Sequence, residues 1–371
     1  MPVKRMSEKI STSTRLARWG KICLLCLVLN GCSSTRIINE VQLIHSIGLD
    51  LEDNHILGTA ITHRYEKEQV KVELLETHVP SLYSIFPELN TTTSSQLELG
   101  QLRSVVVGKA YASKGIGTLV HTLCRDPNIG FRMQLAVADP QAATIMRVNH
   151  RMNVPFILSD TIEQNIKTLN TPRSNLHVFL FNLYGQGRDP YLPYYVVQND
   201  RLKLDGVALF RKDKFVDHIQ TDEAFLLKVL VEKSKSGQYP VELQMGKRKG
   251  NGILKNLRSV VAFEVRESKP TPSIMIHLNM RGQIKDYPTW LELSDPAVFH
   301  ATERELSGYL QNRLKVFLAN LQKKKVDPVG IGDLIRGKSA HWNYADFQKQ
   351  YPHMDIGVQV KIKLEQTGVG E

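Results

Sequence analysis

One short apolar run limits what this chain can become. Ile22 to Leu29 (ICLLCLVL) lies between a basic stretch ending at Lys21 and the sequence Asn30-Gly31-Cys32-Ser33-Ser34. Eight apolar residues span about 12 Å as a helix, well short of the roughly 20 residues that cross a bilayer. The run reads as the core of an export signal, so the residues after it fold on the far side of a membrane. That changes the meaning of the charge. The 371 residues carry a formal +11, which raises nucleic acid or an anionic membrane surface as a partner. Residues 1–31 hold Lys4, Arg5, Lys9, Arg15, Arg18 and Lys21 against Glu8 alone, a net of +5, and only +6 remains on the 340 residues that follow. The residual excess suits a protein lying near anionic lipid and no longer argues for nucleic acid. With 42% apolar and 23% charged residues the chain is neither a polytopic membrane protein nor a disordered one, and its length suits two or three domains.

Leu29-Asn30-Gly31-Cys32 resembles a bacterial lipobox, in which a small residue precedes a cysteine that receives a diacylglyceryl thioether before cleavage. Cys32 is therefore the expected lipidation site and the new N-terminus, although Asn30 departs from the usual small or hydroxylic residue. Two acyl chains, at ~0.8 kcal/mol per buried methylene, make a lasting anchor. Cys23 and Cys26 leave with the signal and Cys32 is acylated, so Cys124 alone remains, too few for a disulfide framework.

Along the mature chain, residues 32–40 read as an acylated N-terminus and tether. Period-two runs at Gln42–Asp50 and His55–His63 predict a hairpin, with Lys71–His78 extending its sheet. Arg103–Gly108 reads as a strand. Ile116, Leu119, Val120 and Leu123 predict a helix that ends at Arg125-Asp126-Pro127. Phe131–Ala138 reads as the next strand, with Pro140 as the first residue of the following helix. Tyr184–Tyr195 (YGQGRDPYLPYY) suggests a loop, either an interdomain linker or an aromatic-rich contact surface. Asp205–Phe210 and Phe215–Ile219 predict a hairpin, followed by a helix from Thr221. Lys247-Arg248-Lys249-Gly250 reads as a solvated turn in preference to a nucleic-acid patch. Strands follow at Ser259–Arg266 and Ser273–Asn279. Leu306, Leu310, Leu314, Phe317 and Leu321 form the stripe of a long helix, Thr302 to Lys324. Its Lys323-Lys324-Lys325 end suits the helix dipole, with contact to anionic headgroups as the other reading. Gly330 and Gly332 mark a turn into a shorter helix, and Met354–Gln366 is an alternating terminal strand.

The expected fold is mixed α/β (α+β), with several small mixed sheets packed by helices. The expected domains are an N-terminal α/β domain at 41–172, a linker or interdomain segment at 173–204, a middle domain at 205–250 and a C-terminal domain at 251–371. No catalytic, cofactor or metal motif is visible. Gly115-Ile116-Gly117 lacks the third glycine of a dinucleotide loop, and neither His-Glu-x-x-His nor Gly-x-Ser-x-Gly occurs. His300 and Glu303 share a helix face without a third ligand. The chain reads as a non-enzyme without catalytic, cofactor-binding or metal residues.

The lipobox, Ile44–Asp50 (IHSIGLD) and Gln101–Ala138 resemble the N-terminal region of the Ger(x)C family, the C subunits of nutrient germinant receptors in spore-forming bacteria. The shared features of that region are a strand ending at Gly108, the Arg125-Asp126-Pro127 stop and Arg132. Gly206–Val216, the long Lys-rich helix before Gly330-Ile331-Gly332, the Trp342 region and the closing strand agree as well. Cys32-Ser33-Ser34 stands where such proteins often have Cys-Trp-Asp, and Glu66–Thr93 matches only loosely. The resemblance implies a three-domain lipoprotein on the outer face of the cytoplasmic (spore inner) membrane. It further implies membrane-embedded A and B subunits as partners and a non-catalytic role in nutrient-triggered germination. A solute-binding lipoprotein of a transporter is the alternative that the same anchor allows.

Overall fold

The computed structural model describes residues 41–53, 55–66, 69–266, 272–339 and 342–365. The chain forms β1 (Val41–Glu52), β2 (His55–Glu66), β3 (Gln69–Val79), α1 (Ile85–Thr91), β4 (Gln96–Glu98), β5 (Ser104–Gly108), α2 (Lys109–Lys114) and α3 (Gly117–Arg125). Next come β6 (Gln134–Asp139), α4 (Ala142–Met152), α5 (Ile157–Thr168), α6 (Leu176–Tyr184), β7 (Tyr191–Gln198), β8 (Arg201–Arg211), β9 (Lys214–Ile219) and α7 (Thr221–Val231). The remainder is β10 (Gln238–Met245), β11 (Arg248–Arg266), β12 (Ser273–Lys285), α8 (Pro296–Lys324), α9 (Ile331–Arg336), α10 (Tyr344–Gln350) and β13 (Ile356–Leu364). The mixed α/β expectation holds, and the strands collect into two mixed sheets.

The first sheet has nine strands, in the order β3-β2-β1-β5-β6-β7-β8-β9, with β4 on β1. Its centre, β1-β5-β6-β7, is parallel and its wings are antiparallel. Parallel strands connected by helices are covered on both faces, so they read as continuous apolar runs. Val105, Val106 and Val107 are all fully buried, and so are Leu135 to Ala138. Alternation divides these residues between two layers. Val105, Val107, Leu135 and Val137 pack with Leu119, Val120, Leu176 and Phe179 of α3 and α6, whereas Val106, Ala136 and Ala138 pack with Ile145, Met146, Leu158 and Ile162 of α4 and α5.

The second sheet, β10-β11-β12-β13, packs its inner face on α8. This helix begins six residues before the expected Thr302. Asp295 accepts a hydrogen bond from the Ala297 amide at 2.7 Å, and Pro296 fills the first helical position, where a missing N–H costs nothing. All five residues of the expected stripe are buried. Helix α8 also covers the free edge of β13. The amides of Val360, Ile362 and Leu364 donate to Gln311 Oε1 (3.3 Å), Ser307 Oγ (3.0 Å) and Glu303 Oε1 (2.9 Å). Four helical residues rise about 6 Å and two strand residues about 6.6 Å, so the two ladders stay in step. An edge that would otherwise recruit another strand is thereby closed.

The sheets join through β7 and β8. Tyr184–Tyr195, expected as a loop, is irregular only from Gly185 to Pro190; Tyr184 closes α6, and from Tyr191 the chain is the strand β7, buried as far as Tyr195. Its tyrosines serve opposite faces, with Tyr194 in the α3/α6 layer and Tyr195 in the α4/α5 layer. Pro193 lies beside a register shift against β8, where a missing donor is tolerated. The segment 173–204 contains α6, β7 and the first residues of β8. Pro140 does not start α4: the helix begins at Ala142 with Gln141 as its N-cap.

Opposite Pro193–Tyr195, β8 carries one extra residue at Asp205-Gly206, and Gly206 has φ +111°. A Cβ at Gly206 would run into the Ile219 carbonyl. Gly206→Ala is therefore expected to destabilise the protein by about 2 kcal/mol or more, measured as a lower urea midpoint.

Candidate functional site

Cys32, the one site residue named by the sequence, lies outside the described residues. Within them, the carboxyl ends of the parallel strands are where α/β sheets usually hold ligands. Asp50 lies in β1 just past its parallel pairing with β5, and its carboxylate accepts from the amides of Ala142 (2.8 Å) and Ala143 (2.7 Å) at the start of α4. Burial pushes its pKa above the usual carboxylate value, and the two amide bonds only partly offset this. Asp139 ends β6 and accepts from Tyr194 Oη at 2.6 Å and Lys109 Nζ at 3.0 Å. Burial pushes Asp139 up, but these two donors together outweigh it and hold the carboxyl below its ordinary range. His218 stacks on Tyr194 with ring centroids 4.5 Å apart. Each carboxylate is held by donors of the protein itself, an arrangement suited to joining strand ends and ill suited to general-base work.

The remaining reactive groups are similarly occupied. Burial pushes the Cys124 thiol up, away from the nucleophilic thiolate. His300 Nδ1 pairs with Glu303 Oε2 at 2.9 Å on α8. Among the described residues no three His, Cys, Asp or Glu side chains are placed to hold a metal. His45 occupies a bulge in β1, which aims it at His63. The rings stack with centroids 4.2 Å apart and share a hydrogen bond, and Phe156 meets His45 edge-on. Burial, with the neighbouring charges of His63 and Arg103, lowers the His45 pKa to about 4, so it is neutral at pH 7.

The densest buried polar construction joins the β7 entry loop to the α8–α9 loop. Asp189 and Asp327 are 3% and 1% exposed. The Asp189 amide donates to the Asp327 carbonyl (2.8 Å), and the Asp327 amide donates to Asp189 Oδ2 (2.7 Å). The Asp327 carboxylate then accepts from the amides of Gly330 (2.9 Å) and Gly332 (2.8 Å), which shapes the turn into α9. Around this pair, the Asp333 amide donates to the Gly187 carbonyl at 2.8 Å and Arg188 pairs with Asp333. Gly187 has φ +86°, and a Cβ there would meet the backbone of Gly332 and Asp333. On the outer side, Arg211 donates to the last carbonyls of α8, and Lys324 pairs with Asp217 at 2.7 Å.

Burial pushes both carboxyls up. For Asp327 the nearby Asp189 adds to the effect, and the pKa reaches about 7 despite the amide donors. The arrangement fastens the loop before β7 to the α8–α9 loop. The sequence treated its two strands of chain, GRDP (Gly187–Pro190) and VDPVGIGD (Val326–Asp333), only as turns; their shared Asp-Pro beside glycine was the available signal.

Both halves match family models. Residues 34–197 match the spore germination protein N-terminal domain, and 205–368 match the spore germination B3/GerAC-like C-terminal domain. The gap between the matches, 198–204, spans the β7–β8 turn and the first residues of β8. The chain is 24% identical to the spore germination protein GerQC of Bacillus cereus, over 96% of this chain and 100% of that protein. It is 22% identical to the spore germination protein KC of Bacillus subtilis (strain 168), over 93% and 94%. Its fold is similar to the crystal structure of the GerBC protein, with a TM-score of 0.54 and 14% identity over 86% of this chain and 97% of that one.

Replacing Asp327 by Ala strands the buried Gly332 amide and leaves that of Gly330 only its longer bond to the residue 327 carbonyl (3.3 Å), and is expected to cost about 2–4 kcal/mol at pH 5. An acid whose folded-state pKa is raised stabilises fully below its unfolded pKa near ~4 and loses that contribution as pH rises through about 7. The gap in urea stability between the wild type and Asp327→Ala should therefore narrow by on the order of 1–2 kcal/mol from pH 5 to pH 8. A gap that widens would contradict the assignment.

Proposed function

Since the chain belongs to the GerAC-like family of spore germination proteins, we propose that it is the lipid-anchored, non-catalytic C subunit of a nutrient germinant receptor. In this reading diacylglyceryl-Cys32 holds it on the outer face of the cytoplasmic (spore inner) membrane, where it works with membrane-embedded A and B subunits. The observation that carries the proposal is positional. The two family matches follow one another along 34–368, and the first begins two residues after Cys32, at the end of a signal-like segment.

Two further features support it. Among the described residues no helix is long and apolar enough to cross a membrane, so an acyl anchor supplies the attachment that this role needs. The buried carboxylates of Asp50, Asp189 and Asp327 and the half-buried one of Asp139 are engaged by the protein's own amides and side chains, which favours a part that holds and couples over one that reacts. A tether also keeps the partners at high effective concentration, so modest contacts with them suffice.

Spores in which Cys32 is replaced by Ala are expected to germinate poorly on nutrients and normally with a non-nutrient trigger. The measurement is loss of optical density in a spore suspension. Normal nutrient germination of Cys32→Ala spores would refute the anchored-subunit reading. If the same spores were normal and the chain from Ser33 onward showed a saturable thermal shift with amino acids or sugars, the solute-binding alternative would replace it.

A further inference from the structure

The inner face of the four-stranded sheet is packed on α8, while among the described residues its outer face is left open. On that open face the ladder places Arg258 of β11 opposite Arg281 of β12, and Arg281 opposite Lys363 of β13. In the next row outward Val260 lies opposite Asn279, and Asn279 opposite Lys361. Four exposed cations thus stand on three adjacent strands, around a shallow groove of about 280 Å³. Like charges directly opposite one another across strands are destabilising, with Cβ atoms only ~5 Å apart. Among the described residues a single acid relieves them, Glu365, which pairs with Arg281; Arg258, Lys361 and Lys363 form no ion pair. A sheet that keeps such a row in the open is arranged for an anion from outside.

We propose that this face, centred on Arg258, Arg281, Lys361 and Lys363, docks on the surface of an anionic phospholipid bilayer. The shape of the patch favours a bilayer over a discrete ligand. Its cations are long, exposed and spread across one sheet face, so they meet a planar array of phosphates together, and no buried polar group is present to enclose a single small anion. The groove has no aromatic ring on which a nucleic-acid base would stack. Juxtamembrane Lys and Arg residues gain individually from an anionic surface, and the gain falls off within a Debye length. The geometry rests on the anchored-subunit reading. Nine residues from Cys32 to Glu40 reach at most about 30 Å, which keeps the body near the bilayer while leaving its orientation open. The basic face selects one orientation.

The test uses the non-acylated chain from Ser33 onward, since Gln42–Glu371 form one compact unit. Co-sedimentation is measured with vesicles of phosphatidylcholine alone and of equal parts phosphatidylcholine and phosphatidylglycerol. Binding is expected to the anionic vesicles only and to fall with added salt. The combined variant Arg258→Ser, Arg281→Ser, Lys361→Ser, Lys363→Ser should bind at least about tenfold more weakly while keeping the wild-type thermal midpoint. A control variant, Lys323→Ser with Lys325→Ser at the end of α8, should bind like the wild type. Equal binding to both vesicle types, undiminished binding by the folded fourfold variant, or loss of binding in the control instead would each overturn the proposal. Such failures would leave the acyl anchor standing, whereas normal nutrient germination of Cys32→Ala spores would remove the anchor and leave the vesicle result untouched.

Discussion

The architecture depends on one extra residue in β8. On β7 and β8, Tyr195, Val207 and Leu209 share one face of the nine-stranded sheet, while Tyr194, Ala208 and Phe210 share the other. The first set extends from the α4/α5 layer into the core of the C-terminal half, where Val207 and Leu209 meet Phe225, Leu226 and Leu230 of α7 and, through them, the leucines of α8. Because side chains alternate with period two, removing the bulge at Asp205-Gly206 would exchange Val207 and Leu209 with Ala208 and Phe210. A large phenylalanine would then face the C-terminal core and a valine the α3/α6 layer. Since burying a branched aliphatic or aromatic side chain is worth ~1.5–3 kcal/mol, the two halves hold together only in the bulged register.

Apolar packing supplies most of the cohesion, and buried polar groups decide which arrangement it takes. Lys228 on α7 is 1% exposed, and its ammonium donates to the carbonyls of Ile166 and Leu169 at 2.7 Å each and to Ser236 Oγ at 3.1 Å. It ties the end of α5 to the segment that leads into β10. Asn170 works alongside, donating to the Thr221 and Gln238 carbonyls and accepting from the Gln238 amide. With Asp189 and Asp327 on another side of the junction, these groups make displacement of either half expensive, because each buried donor or acceptor would lose its partner.

Much of the secondary structure was legible because its signals are local. The Leu306–Leu321 stripe, the alternation in Ile356–Leu364 and the apolar run before Gly108 each report a face that must be buried. Tyr184–Tyr195 misleads because Gly, Pro and Tyr in a short span ordinarily punctuate boundaries. Here Pro193 sits beside a register shift and the tyrosines are large enough to fill both faces. The Asp189–Asp327 pair was invisible for a different reason. Its members are 138 positions apart, and each Asp-Pro, taken alone, is an ordinary turn signal.

From its sequence alone, this protein was determined to have a mixed α/β fold, and that sequence carried a signal-like apolar run, a cysteine in a lipobox-like setting and no motif for catalysis. These conclusions follow from hydropathy, short-range periodicity and the chemistry of a few contiguous residues. Only the tertiary structure decided that the halves share β8, that two aspartates meet between them, and that Arg258, Arg281 and Lys363 fall in one row on an open sheet. Strand order, register and bulges set those distances, and they are fixed by which buried faces fit one another across long separations in the chain.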